Sequence, residues 1–331
     1  MNKKYLIFVW FFVFVFSMSK TVAQLSSQEQ QLQQIDPFEQ AVKDSSSSDP
    51  YVRRRAAEQF GSLRDTKAVI YLRKMLKDEN PFVRQTAVDS LGLLRAKEVV
   101  NDIIELLKTD KETQVRQSAI VALGYIGDPS CVDTLIEILK DENEPAAVKY
   151  SVCNTLGILR STQAVSSLQG LINSEDLNLR RSVIYTLSKI ANSESISILR
   201  DAIDTNINNE QILIDLLKIL ADLNDNDSVA KFKLLYSTTT TTAKIKFYSA
   251  YGLAKVAKDK TVLPTIKAAL KSKDESIKNN AIDAIRFIGD SESLILLKEM
   301  QKTETSPYTK QLLSMAIKQL ETKYPNIQQR K

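Results

Sequence analysis

Apolar residues return along this chain at a steady interval. Taking the first apolar residue of each recurrence as an anchor gives Val52, Val83, Val115, Val148, Leu179, Ile212, Ile245, Ile277 and, weakly, Thr309, spaced 31 to 33 residues apart. Four residues after the anchors stand Ala56, Ala87, Ala119, Val152, Val183, Leu216, Ser249, Ala281 and Leu313. Eight after them stand Phe60, Leu91, Leu123, Leu156, Leu187, Leu220, Leu253, Ile285 and Ile317. Position 11 is again apolar throughout, from Leu63 to Leu320. These offsets share one stripe of a helix with 3.6 residues per turn, so each recurrence predicts an amphipathic helix of about three to four turns. A short turn follows, such as GDPS at 127–130, and then a second apolar run with Val69, Val100, Val132, Val165, Ile196, Val229, Val262 or Leu294 at position 17. The expected fold is all-α: an α-solenoid of about eight helix pairs plus a terminal helix over 50–322, because so small a unit buries its apolar face only against its neighbours.

Four of the eight glycines, Gly61, Gly92, Gly124 and Gly157, share one register inside the first helix. Glycine costs a helix about 1 kcal/mol relative to alanine, so close approach of a crossing helix is the expected compensation. The phrases PFVRQTAVDSLGLL and TQVRQSAIVALGYI, at 81–94 and 113–126, carry a resemblance to HEAT-like repeats of the short variety found in phycobilin lyases, and the resemblance covers about 50–320. It implies a ladder in which an Asp of the turn between repeats meets an Arg at the start of the following helix. Asp78 lies six residues before Arg84 and Asp110 six before Arg116, while Arg53 and Arg180 hold the same basic register and Leu213 breaks it.

The first residues change the picture of compartment. Lys3 and Lys4 precede an apolar run from Tyr5 to Phe16 and then small residues up to Ala23, the layout of a signal peptide over 1–23. The run is short of the ~20 residues that span a bilayer, so the expectation is an exported protein, periplasmic or secreted, with no membrane span after leader removal; retention by an uncleaved anchor is the alternative. A Gln-rich linker at 24–36, a capping half-repeat and turn at 37–49 and a polar tail at 323–331 complete the domain reading. Without the leader's three lysines, 42 basic residues face 40 acidic ones, so no basic excess points to nucleic acid.

Candidate chemistry is sparse. The chain has no histidine, which removes Ser-His and Cys-His nucleophile arrangements and His-containing zinc sites. Cys131 and Cys153 sit at apolar registers and are expected as buried free thiols. DLNDNDS at 222–228 imitates the start of a calcium loop but lacks its glycine and distal glutamate. No cofactor, metal or catalytic residue is expected, and the reading is that the chain is not an enzyme.

The resemblance places the first helices on the concave side, where offsets 2, 3, 6 and 10 face a groove. Those positions hold Tyr125, Tyr150, Tyr185, Phe247, Tyr248, Tyr251 and Phe287, seven of 23 aromatics. Tyrosine is favoured in binding hot spots, although the same rings equally suit packing between helices. The expected function is a protein-binding scaffold or adaptor with a protein or peptide partner. The resemblance also implies a lyase-like or chaperone-like alternative and a nucleic-acid enzyme, the last disfavoured by the export signal.

Overall fold

The computed structural model describes residues 36–325. The leader, most of the Gln-rich linker and the end of the tail lie outside the described residues. The chain forms two compact units, one ending at Cys131 and one beginning at Val132. The first contains α1 (Pro37–Asp44), α2 (Pro50–Leu63), α3 (Val69–Met75), α4 (Pro81–Leu93), α5 (Val100–Thr109) and α6 (Thr113–Ile126). The second contains α7 (Val132–Lys140), α8 (Ala146–Ile158), α9 (Val165–Gln169), α10 (Leu177–Ile190), α11 (Ser193–Thr205), α12 (Glu210–Asp222), α13 (Val229–Ser237), α14 (Ala243–Lys255), α15 (Leu263–Ala269), α16 (Glu275–Ile288), α17 (Ser291–Thr303) and α18 (Pro307–Lys323). Among the described residues there is no strand. The fold is an α-solenoid of helix pairs ending in α18.

Local chemistry sets the helix limits. Asp49, Asn80, Asp176 and Asp274 cap α2, α4, α10 and α16 by accepting hydrogen bonds from the first free amides, and Pro50 and Pro81 occupy the first helical position, where their missing N–H is not needed. Most first helices end on a left-handed residue. Glycine fills that place only at Gly127; Arg64, Arg95, Arg160, Ala191, Asn224 and Lys258 adopt φ of 48 to 56° instead. Most second helices then open with a 3₁₀ turn. Helices α11 and α17 instead start directly from Asn192 and Asp290, each bonded to a serine three residues on.

Within each unit the first helices pack directly on one another, α2 on α4 and α4 on α6, α8 on α10, then α12 on α14 and α14 on α16. The second helices pack against first helices and meet each other little or not at all. Every residue at offsets 4 and 8 is buried, including Ser249. Leu63, at offset 11 of the first pair, departs from the stripe and is exposed. At that end α1 places Phe38 5.4 Å from Phe60 and 6.0 Å from Tyr71, covering the apolar side of α2.

The shared glycine register hides two situations. A Cβ on Gly92 would lie 2.9 Å from Ala122 Cα and Cβ, and one on Gly61 2.5 Å from Ser90 Oγ. A Cβ on Gly157 would meet nothing nearer than Lys189 Cβ at 3.6 Å. Close approach therefore explains Gly61 and Gly92 but not Gly157. Gly92→Ala should destabilise by about 1–3 kcal/mol through overpacking against helix backbone, whereas Gly157→Ala should stabilise by up to about 1 kcal/mol. Urea titration of both variants checks this; shifts of the same sign would contradict it.

Candidate binding face

With offsets 0, 4 and 8 directed inward, the exposed side of the first-helix layer is built from offsets 2, 3, 6 and 10. The C-terminal aromatics do not reach it. Phe247, Tyr248 and Tyr251 are all buried, which corrects their assignment to the groove. The reason is that α14 is enclosed nearly all round by α12, α13, α15 and α16. Phe232 of α13 packs on Gly252, and the Phe247 and Tyr248 rings meet edge to face at 5.1 Å. The Tyr251 hydroxyl reaches Asp222 at 2.8 Å and Asp283 at 3.1 Å, with Lys255 Nζ 2.6 Å from Asp222. Burial first, and then the two carboxylates, push the Tyr251 phenol far above its ordinary range. Tyr251 thus ties α12, α14 and α16 together. Phe287 is half-buried beneath Lys258, whose Nζ stands 3.9 Å from the ring centroid.

Tyr150 is also half-buried and is engaged within the array, its hydroxyl donating to Asp176 at 2.5 Å. That bond belongs to the ladder, which runs differently from the sequence expectation. Arg84 donates to the Asp78 backbone carbonyl at 2.8 Å, not to its carboxylate, and grips the carboxylate of Asp110 at 2.7 and 3.0 Å. The Asp78 carboxylate is held by Arg53 of the preceding repeat at 2.7 and 2.8 Å. Each arginine therefore joins the turn before its helix to the turn after its repeat. Arg116 adds a nearby positive charge to Asp110. Arg180 repeats the geometry, from the Ser174 carbonyl to the neutral Asn206 at 2.9 Å, and Lys278 makes the forward contact alone, with Glu304 at 2.9 Å. Where Leu213 breaks the register it is simply buried.

The face does expose apolar side chains, in the middle repeats and at Met315 of α18. In the first unit these are Leu93, Val121 and Tyr125. In the second, Ile158 and Tyr185 are 66% and 53% exposed and line one open notch of about 460 Å³ with Asn154, Gly157, Arg160, Thr186 and Lys189. Gly157 leaves its floor unfilled, and Lys189 Nζ lies 4.9 Å from the Tyr185 ring centroid. A reading of the aromatic residues alone passes over Leu93, Val121 and Ile158. The signal of Leu93 and Ile158 is present in the sequence, since they and Tyr125 hold offset 10 in three successive repeats.

Other candidate groups are engaged elsewhere. Asp222, first residue of the calcium-like run, is bound by Lys218, Lys255 and Tyr251. Cys131 and Cys153 are free and buried, and burial pushes their thiols up to about 11 and about 12, away from the reactive thiolate. Among the described residues no helix is long and apolar enough to cross a membrane.

The chain matches the family described as HEAT repeats over residues 35–123, 100–176, 132–218 and 232–318. No curated protein matches it. Among solved structures, importin β is similar with a TM-score of 0.52 and 11% identity, over 86% of this chain and 50% of that one. The complex of CpcE and CpcF of phycocyanin lyase from Nostoc sp. gives 0.44 and 19%, over 77% and 94%. Human deoxyhypusine hydroxylase gives 0.35 and 16%, over 80% and 98%. The expectation that the chain is not an enzyme is corrected here, since two of these similar structures, phycocyanin lyase and deoxyhypusine hydroxylase, are enzymes.

Proposed function

Because the chain belongs to the HEAT-repeat family, we propose that it is an exported protein-binding array that grips a segment of a partner protein on the face formed by its first helices. The observation that supports this reading is the notch of the second unit, where Ile158 and Tyr185 stand exposed over the unfilled floor at Gly157. Large apolar groups gathered around a concavity are what a partner side chain can desolvate, and tyrosine contributes contact area at little entropic cost. The patch of Leu93, Val121 and Tyr125 offers the first unit a contact of the same kind.

The test is crosslinking capture by the mature chain, beginning after Ala23, from material of the compartment to which it is exported. Ile158→Ala and Tyr185→Ala should each weaken capture by ~1–3 kcal/mol, as hot-spot truncations do, with unchanged melting. Gln85→Ala, in the first unit and outside the residues that line the notch, should change little. Equal capture by all three variants would sink the notch as an anchor. A native N-terminus at Met1 would overturn the export half of the reading.

A further inference from the structure

The cations of the second unit's first-helix face are mostly engaged. Arg181 pairs with Asp215 at 2.9 Å, Lys218 with Asp222 at 2.6 Å, Lys255 with Asp222 at 2.6 Å and Arg286 with Asp283 at 2.8 Å. Two others differ. Arg160 and Lys189 are exposed and line the notch, and no acidic side chain lines it with them. Lys189 lies over the Tyr185 ring, which attracts a cation but does not neutralise it. Arg160 is the left-handed residue that ends its helix, with φ of 48°, and the notch lining places it beside Ile158. An apolar floor is thus flanked by two positive charges in a face where neighbouring positive charges carry their own counter-ions.

We propose that the notch takes an acidic protein segment: an apolar side chain seated between Ile158 and Tyr185, with carboxylates on either side of it meeting Arg160 and Lys189. This deepens the protein-binding reading and rests on it. The charge pattern selects the partner, since a carboxylate gains a counter-ion there whereas a lysine faces like charge. Arg160 is suited to bidentate carboxylate contact and Lys189 to a point charge.

Three synthetic peptides test the proposal by fluorescence anisotropy with the mature chain. Each carries a central Leu-Phe pair, flanked on both sides by glutamates, by glutamines or by lysines. The glutamate peptide should bind ~10-fold or more tightly than the lysine peptide, and the preference should shrink between about 50 mM and about 300 mM salt as the charges are screened. The double variant Arg160→Glu/Lys189→Glu should reverse the order. An unchanged order in that variant overturns the proposal, as does binding of none of the peptides or a wild-type preference for lysine. Ile158→Ala reads the other half: it should weaken the glutamate and glutamine peptides alike. If it has no effect while charge reversal does, the apolar anchor fails and the acidic preference stands; if it weakens both while charge reversal changes nothing, only the acidic preference fails.

Discussion

Tyr251→Ala should destabilise the second unit by about 3–5 kcal/mol, the range for deleting a large buried aromatic side chain. The ring is 1% exposed at the centre of α14, and its hydroxyl bonds Asp222 and Asp283 on the two flanking first helices. Truncation opens a cavity and leaves Asp222 to Lys218 and Lys255, and Asp283 to Lys255 and Arg286. Tyr251→Phe separates the two effects: the ring stays, the hydroxyl goes, and the cost should fall to about 1–3 kcal/mol. Urea denaturation of the full chain measures both. Hydrogen exchange should show the loss spreading to α12 and α16, because neighbours complete each repeat. A Tyr251→Ala variant as stable as the parent would return the ring to the binding face.

Asp110→Ala should cost about 3–5 kcal/mol, the range for removing one partner of a buried ion pair. Arg84 would keep its bond to the Asp78 carbonyl but lose the carboxylate at 2.7 and 3.0 Å, in a pair whose side chains are only 16% and 2% exposed. Asp102→Ala is the comparison. It breaks the pair with Arg73, whose side chain is 56% exposed, and should cost at most about 1 kcal/mol. Similar losses in the two variants would contradict a role for burial.

The same carboxylates give stability a pH dependence of definite sign. Burial pushes Asp78 and Asp110 upward, but the hydrogen bonds from Arg53 and Arg84, the backbone amides of Asn80 and Glu112 and the nearby arginine charges together outweigh it and hold both below the ordinary carboxylate range. Lys278 and the Ser306 amide hold Glu304 down to about 2. A depressed folded pKa means a stabilisation complete above the unfolded value and lost as pH falls through it toward the folded one. The urea midpoint should therefore hold down to about pH 5 and fall below it, less steeply in Asp110→Ala.

The helix pairs were legible because burial at offsets 4 and 8 depends on a periodicity that each repeat carries within itself. The binding face was less so. Whether Tyr251 faces solvent is decided by Phe232, Asp222 and Asp283, which come from three other helices. The small residues Ser249, Ala250, Gly252 and Ala254 around it marked a helix approached from several sides. The ladder shows a different limit. Asp78 stands six residues before Arg84 and 25 after Arg53, and only the fold reveals that its carboxylate turns backward.

That backward turn has a consequence for how such a chain changes over generations. The ladder side chains reach 25 or 26 residues ahead, and Arg84 reaches its own turn six residues behind, so these bonds fit within about one period. Excising or duplicating one complete period of 31 to 33 residues would rejoin equivalent partners at the seam. Inside a helix a shift of one or two residues would rotate the stripe beyond the cut, whereas the turns already absorb such differences among periods of 31 to 33 residues. The ladder thus sets a unit of genetic tolerance: the whole repeat is the length whose gain or loss inside the array leaves every ladder partner with an equivalent one.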